Sequence, residues 1–269
     1  MCLYSAASRN LLLSEQLAPD RLLLQAPDRL FRVVRLDRST KPQTLAWQAM
    51  HQDYSENAVA DEPVPETEQL AGEIIVRHLL KNERGHYGPL EHPSITFNVI
   101  GFPHDLMQQA RTHRVGISFD VQSGRYTSQR IVDVVTGKRP LEEVFYLRPV
   151  GIYCDRSGKR YVYGDLQRGR DFQQCLELAS AFAVKVAQEG LGMAEEHARG
   201  LIPYCIRQHF VVSFNARSLM HFMDLRAKTD AQLEIRQLSA MLFAEFKDWV
   251  PQIAEYYETK RLGRALLAP

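Results

Sequence analysis

Cysteine is scarce in this chain: four residues in 269, at positions 2, 154, 175 and 205, with no C-x-x-C pair and no regular spacing. That excludes a disulfide framework, and a cytoplasmic, reducing compartment is the expectation. No apolar run approaches the ~20 residues that a membrane span needs, and the opening residues lack a continuous apolar h-region, so no membrane partner is expected. An excess of charge of one sign is missing too. Lys and Arg number 33 against 32 Asp and Glu, a net charge of +1, which argues against the broad basic surface of a nucleic-acid-binding protein. No pair of histidines has zinc-site spacing, so no catalytic metal is expected.

What is present is a hydrophobic fraction of 45%, enough over this length to bury a sizeable core. Residues 1–30 stand apart: APDRL occurs at 18–22 and again at 26–30, and Pro19 and Pro27 interrupt any helix, so this stretch is expected to be a mobile extension before a single catalytic domain over 31–269. FRVVRL, from residue 31, has a strand pattern. Residues 67–81 predict a helix with Leu70, Ala71, Ile74, Ile75, His78 and Leu79 on one face. Residues 89–100 predict a strand in which Ile95, Phe97 and Val99 alternate with polar partners. Residues 104–114 predict a helix, and 148–164 a hairpin turning at Ser157-Gly158. Asp171 is expected to cap a helix with a Phe172, Cys175, Ala179 and Phe182 stripe that ends at Gly190. Asn215 is expected to cap a helix through Leu225, and Thr229 with Gln232 to form a capping box for a helix ending before Pro251.

The chemistry is concentrated at 111–130, RTHRVGISFDVQSGRYTSQR. Arg111, Arg114, Arg125, Arg130 and His113 crowd around a single acid, Asp120. Such a crowd is costly unless a ligand anion offsets the repulsion, and guanidinium forks match phosphate oxygens. Ser123-Gly124 adds backbone N–H groups that no side chain blocks. A solvated charged face is the bland alternative.

Several separated motifs in order tip the balance. Ser123-Gly124-Arg125-Tyr126, the preceding His113-Arg114, GHYGPLEHPSITFNV at 85–99, Gln109, Arg199, Asn215-Ala-Arg217, Arg226 and Ala231-Gln232-x-Glu234 together resemble the flavin-dependent thymidylate synthases over roughly residues 31–250. Two departures stand out. Thr112 occupies the first place of the family's Arg-His-Arg triplet, with Arg111 just before it as a candidate to reach the same region, and the spacer from Arg114 to Ser123 is one residue longer than usual.

The resemblance implies an α+β fold, a mixed sheet flanked by helices in a homotetramer whose sites lie at subunit interfaces. It implies reductive methylation of dUMP to dTMP, with 5,10-methylenetetrahydrofolate as carbon donor and FAD, reduced by NADPH, as hydride donor. Gln109, Ser123, Gly124, Arg125, Arg199 and Arg226 are then expected around dUMP, with Arg226 and Ser123 the candidate catalytic residues. Arg226 would stabilise negative charge on the pyrimidine carbonyls and so make C5 nucleophilic. FAD is expected on His86, Glu91, Thr112, His113, Arg114, Gln122, Asn215, Arg217 and His221, the last in place of an Asn. Arg226 could instead be a helix-end cation paired with Asp224 or Asp230. Flavin chemistry needs no attacking thiol, and Cys205 is expected to be a packed core cysteine. Two other classes compete: a nucleotide- or RNA-binding module, against which the balanced charge argues, and a flavoprotein reductase with another substrate, which would not need the Ser123-Gly124-Arg125 cluster.

Overall fold

The computed structural model describes residues 27–81, 86–155, 157–187 and 193–264. Its strands, in chain order, are β1 (Arg32–Arg38), β2 (Ser94–Pro103), β3 (Ile117–Val121), β4 (Gly151–Cys154), β5 (Arg160–Tyr163) and β6 (Arg207–Asn215). Its helices are α1 (Pro42–Gln52), α2 (Glu68–Ile75), α3 (His104–Ala110), α4 (Gly124–Thr127), α5 (Gln129–Val135), α6 (Leu141–Val144), α7 (Asp165–Ala187), α8 (Glu195–Ala198), α9 (Ala216–Arg226), α10 (Leu233–Trp249) and α11 (Pro251–Lys260).

Four strands form a sheet in the order β1-β2-β6-β3, and β4-β5 is a separate hairpin. The α+β expectation holds, but the sheet is not mixed: each ladder among the described residues is antiparallel. The physical reason is visible in β2. Ile95, Phe97 and Val99 are buried while Thr96, Asn98 and Ile100 between them are half-exposed, the one-sided alternation that suits antiparallel pairing. Opposite them on β6 stand Phe214, Val212 and Phe210, so the register places one apolar row against the other. Trp47, Ile75, Leu219, Phe222, Leu242, Phe246 and Tyr257, from α1, α2, α9, α10 and α11, close over this row as one apolar cluster. A second cluster gathers Ile131, Val144, Phe145, Cys175, Phe182 and Ile206 beneath α5 to α8.

Several expected boundaries move. The helix expected over 67–81 is α2, capped by Thr67, and continues from Val76 to Leu80 as a π turn. The widened turn brings both Leu79 and Leu80 inward, while His78 and Leu70 end up exposed. Residues 88–91 form a 3₁₀ turn, so β2 starts at Ser94 rather than 89. The helix expected over 104–114 stops at Ala110, which leaves His113 in the following turn. Asp171 is not a cap: α7 begins six residues earlier, and Asp171 accepts a hydrogen bond from the Tyr163 hydroxyl at 2.6 Å. The Thr229–Gln232 capping box does not form either, because the Gln232 amide is spent on tertiary partners. The hairpin is as expected, with Gly158 at φ +82° in its turn, and so is the Asn215 cap, a reciprocal box with Ser218.

Of the expected N-terminal extension, residues 1–26 lie outside the described residues, as do Gly190 and Gly192. Its last residues are docked. Asp28 pairs with Arg207 at 2.9 Å, and Arg207 is 3% exposed, so a truncation should stop short of residue 28.

Candidate active site

α9 leaves the sheet where β6 ends, and Asn215 fixes its start. Gly116 makes this junction possible: it sits at φ +68° with its Cα against the Asn215 amide, and a Cβ there would come within 2.4 Å of Asn215 Nδ2. Its carbonyl accepts from the Asn215 N–H and the Ser218 hydroxyl. The loop that carries the Arg/His motif is thereby pinned to the helix that carries Arg217, His221 and Arg226.

At the far end of α9, Arg226 reaches back to the turn after α3. Its Nε donates to His113 Nε2 at 2.9 Å, and its Nη2 donates to the Gln109 carbonyl at 2.9 Å and to Thr112 Oγ1 at 2.8 Å. Nη1 makes no hydrogen bond within the described residues. Arg226 is therefore not a helix-end cation paired with Asp224: that carboxylate is buried against Arg261 at 2.7 Å. Thr112, the apparent departure from the motif, serves as an acceptor for Arg226. Arg111 does not substitute at this place and lines a cleft instead.

Because Arg226 donates to its Nε2, His113 must be neutral with its proton on Nδ1. That Nδ1 is buried and has no partner, as is Nδ1 of His221, whose ring lies edge-on to His113 at 5.2 Å between centroids. Burial, then Arg226 and His221, push the His113 pKa down to about 4; burial also lowers His221. A depressed folded-state value means that the stabilisation is present in full above the unfolded value of ~6.5 and is lost as pH falls towards about 4. The loss should reach on the order of 3 kcal/mol at the acid end. Thermal midpoints measured from pH 8 down to pH 4.5 should fall in the parent and fall less in His113→Gln.

A further polar chain supports this cluster. The Gln109 amide nitrogen donates to Gln232 Oε1, and Gln232 Nε2 donates to Asp105 and to Glu234, both at 2.9 Å. Glu234, 1% exposed, also takes Arg148 at 2.7 Å and the Tyr146 hydroxyl at 3.1 Å.

A cleft of about 490 Å³ opens between the sheet and the second apolar cluster. Gln122, Ser123, Gly124 and Arg199 line it. A Cβ on Gly124 would meet Arg199 Cδ at 3.6 Å, an ordinary contact, so packing within the chain does not demand this glycine. Arg125 turns outward to Glu196 at 2.7 Å, and Arg114 is exposed. Arg217 pairs with Glu91 at 2.5 Å, and His86 with Asp53 at 2.8 Å. The residues expected around dUMP thus fall in two places within one chain: Ser123, Gly124 and Arg199 in the cleft, Gln109 and Arg226 in the imidazole–guanidinium cluster. Arg111 and Arg130, from the arginine-rich stretch read as an anion site, also line the cleft, and so do His104 and Gln208, which no motif singled out.

Cys205 behaves as a packed thiol. Its sulfur lies 3.5 Å from that of Cys175, and this contact together with burial raises its pKa, so it stays protonated. If the protein has the activity its motifs imply, replacing Cys205 by Ala should leave it within a few-fold of the parent. Complete loss with the fold and flavin intact would point to a thiol nucleophile.

The fold is α+β, with a cleft lined by arginines and no acid and a separate imidazole–guanidinium cluster, an arrangement whose charge suits an anion. The family described as "thymidylate synthase complementing protein" matches residues 35–252. A flavin-dependent thymidylate synthase of Halobacterium salinarum is 35% identical over 250 residues, covering 87% of this chain and 97% of its own. Two solved structures share the fold. A UMP/dUMP methylase, PolB, of Streptomyces cacaoi, bound with 5-Br dUMP, has a TM-score of 0.65 at 24% identity, over 89% of this chain and 97% of its own. The flavin-dependent thymidylate synthase of Helicobacter pylori, complexed with FAD and dUMP, has a TM-score of 0.58 at 21% identity, over 81% and 97%. The chain belongs to the flavin-dependent thymidylate synthase family.

Proposed function

We propose that this synthase methylates dUMP to dTMP reductively, with 5,10-methylenetetrahydrofolate as carbon donor, FAD as its flavin and NADPH as the reductant. The observation that carries the reading is the fastened Arg226: three hydrogen bonds orient its guanidinium and leave Nη1 to meet a ligand. A fixed, partly buried cation beside a uracil carbonyl stabilises the charge that builds on oxygen as C5 attacks the one-carbon unit, with no attacking thiol. Ser123, Gly124 and Arg199 hold the phosphate end.

The unpartnered, buried Nδ1 atoms of His113 and His221 fit a heteroaromatic partner, and with Thr112, Arg114, Gln122, Asn215, Arg217, His86 and Glu91 they are the residues that would hold FAD. Reduced FAD held there would supply the hydride. His113 offers its Nδ1 proton as a hydrogen-bond donor and stays neutral at working pH. Because the cleft and the Arg226 cluster each carry part of the dUMP set, a homotetramer in which one subunit's cleft completes another's cluster accounts for the division.

The test is thymidylate formation by the purified protein with each of flavin, dUMP, methylenetetrahydrofolate and NADPH omitted in turn. Product requires all four. Thymidylate formed with no flavin bound would sink the proposal.

A further inference from the structure

The cleft carries more positive charge than Arg199 alone provides. Arg111 and Arg130 also line it, with His104, and no aspartate or glutamate is among its lining residues. Arg130 lies in the first turn of α5, and its Nε is sealed from solvent without a hydrogen-bond partner. Burial, then Arg139, push its pKa down to about 10, so the group is charged at neutral pH. A second set of unsatisfied atoms shares the cavity: Oε1 of Gln208, a residue 6% exposed, Oε1 of Gln122, and Nδ1 of His104. A half-buried cation whose Nε is sealed away from solvent and faces no acceptor costs stability, and buried polar groups left without partners are rare unless a ligand satisfies them. Guanidiniums paired with neutral amide oxygens match one ligand chemistry, a phosphate monoester on a hydroxyl-bearing sugar: the guanidiniums take the phosphate, and the amide oxygens accept from hydroxyls.

We propose that Arg130, on α5, is a phosphate-binding residue for the nucleotide substrate, acting with Arg199, and that Gln208 accepts from a sugar hydroxyl of the same ligand. This assignment rests on the nucleotide reading given above. It gives a role to Arg130, from the arginine-rich stretch, and to Gln208, from β6.

Calorimetric titration of the parent, Arg130→Met and Arg130→Lys with dUMP, deoxyuridine and inorganic phosphate tests it, alongside the thermal midpoint of each unliganded protein. Arg130→Met should weaken dUMP binding at least ~10-fold, the loss of one charge-assisted contact, and leave deoxyuridine binding unchanged; Arg130→Lys should fall between. The unliganded midpoint of Arg130→Met should equal or exceed the parent's, because a sealed donor without an acceptor has been removed. Unchanged dUMP affinity, a parallel loss of deoxyuridine affinity, or a lowered midpoint would each overturn the assignment, the last by marking Arg130 as structural. If the parent binds neither dUMP nor deoxyuridine, the nucleotide reading falls, and inorganic phosphate decides separately. Phosphate binding removed in Arg130→Met would keep Arg130 as an anion ligand, whereas equal binding, or none in the parent, would end that role too.

Discussion

Arg226→Lys should retain FAD and lose synthase activity on the order of 100-fold or more. Lys keeps the charge but offers one ammonium, which cannot reach His113 Nε2, the Gln109 carbonyl and Thr112 Oγ1 in one plane while a fourth donor faces the ligand. Loss of the Arg226 contact would also free the His113 ring to rotate. The measurement is thymidylate formation and dUMP affinity beside the parent. Near-parental values for both would remove Arg226 from the active site and return it to a structural role.

The largest stability effect should come from two residues earlier on the same helix. Asp224 and Arg261 pair at 2.7 Å with side-chain exposures of 0% and 3%, which ties α9 to the end of α11. Burial raises the Asp224 carboxyl pKa, and Arg261 opposes that rise. Asp224→Ala deprives the buried Arg261 guanidinium of this carboxylate, a loss of about 3–5 kcal/mol. For a chain of this size the thermal midpoint should fall by roughly 6–20 °C. The double variant Asp224→Ala/Arg261→Met should recover much of the loss, since replacing both members of a buried pair is far less costly than removing one. A single variant within 2 °C of the parent would show that the pair contributes little.

The sequence disclosed elements whose signals are local. β2 follows from its alternation, the hairpin from Ser157-Gly158, and the start of α9 from Asn215, each decided within a few residues. The helix ends were less legible where tertiary contacts override local preference. The Gln232 amide is drawn away from capping by Asp105 and Glu234, and the π turn after Ile75 satisfies the packing of Leu79 and Leu80, which a 3.6-residue period cannot reveal. For the candidate site, motif order singled out both the 109–113 turn and Arg226, more than a hundred residues later, which the fold brings into contact. It did not show that Thr112 would be Arg226's acceptor, nor that Arg111 would point into the cleft. Those depend on where the chain turns after Ala110, one turn earlier than periodicity implies.

The amide chain from Glu234 to Gln109 has a direction. Two carboxylates claim the Gln232 nitrogen, so its oxygen must face Gln109; Gln109 answers with its own nitrogen and is left holding out a carbonyl oxygen. A glutamine on the surface can flip and present either end. This one is locked by a carboxylate two residues beyond Gln232, so a ring edge that meets the Gln109 oxygen must bring an N–H, and a base offering a lone pair to that oxygen would face repulsion instead of a bond.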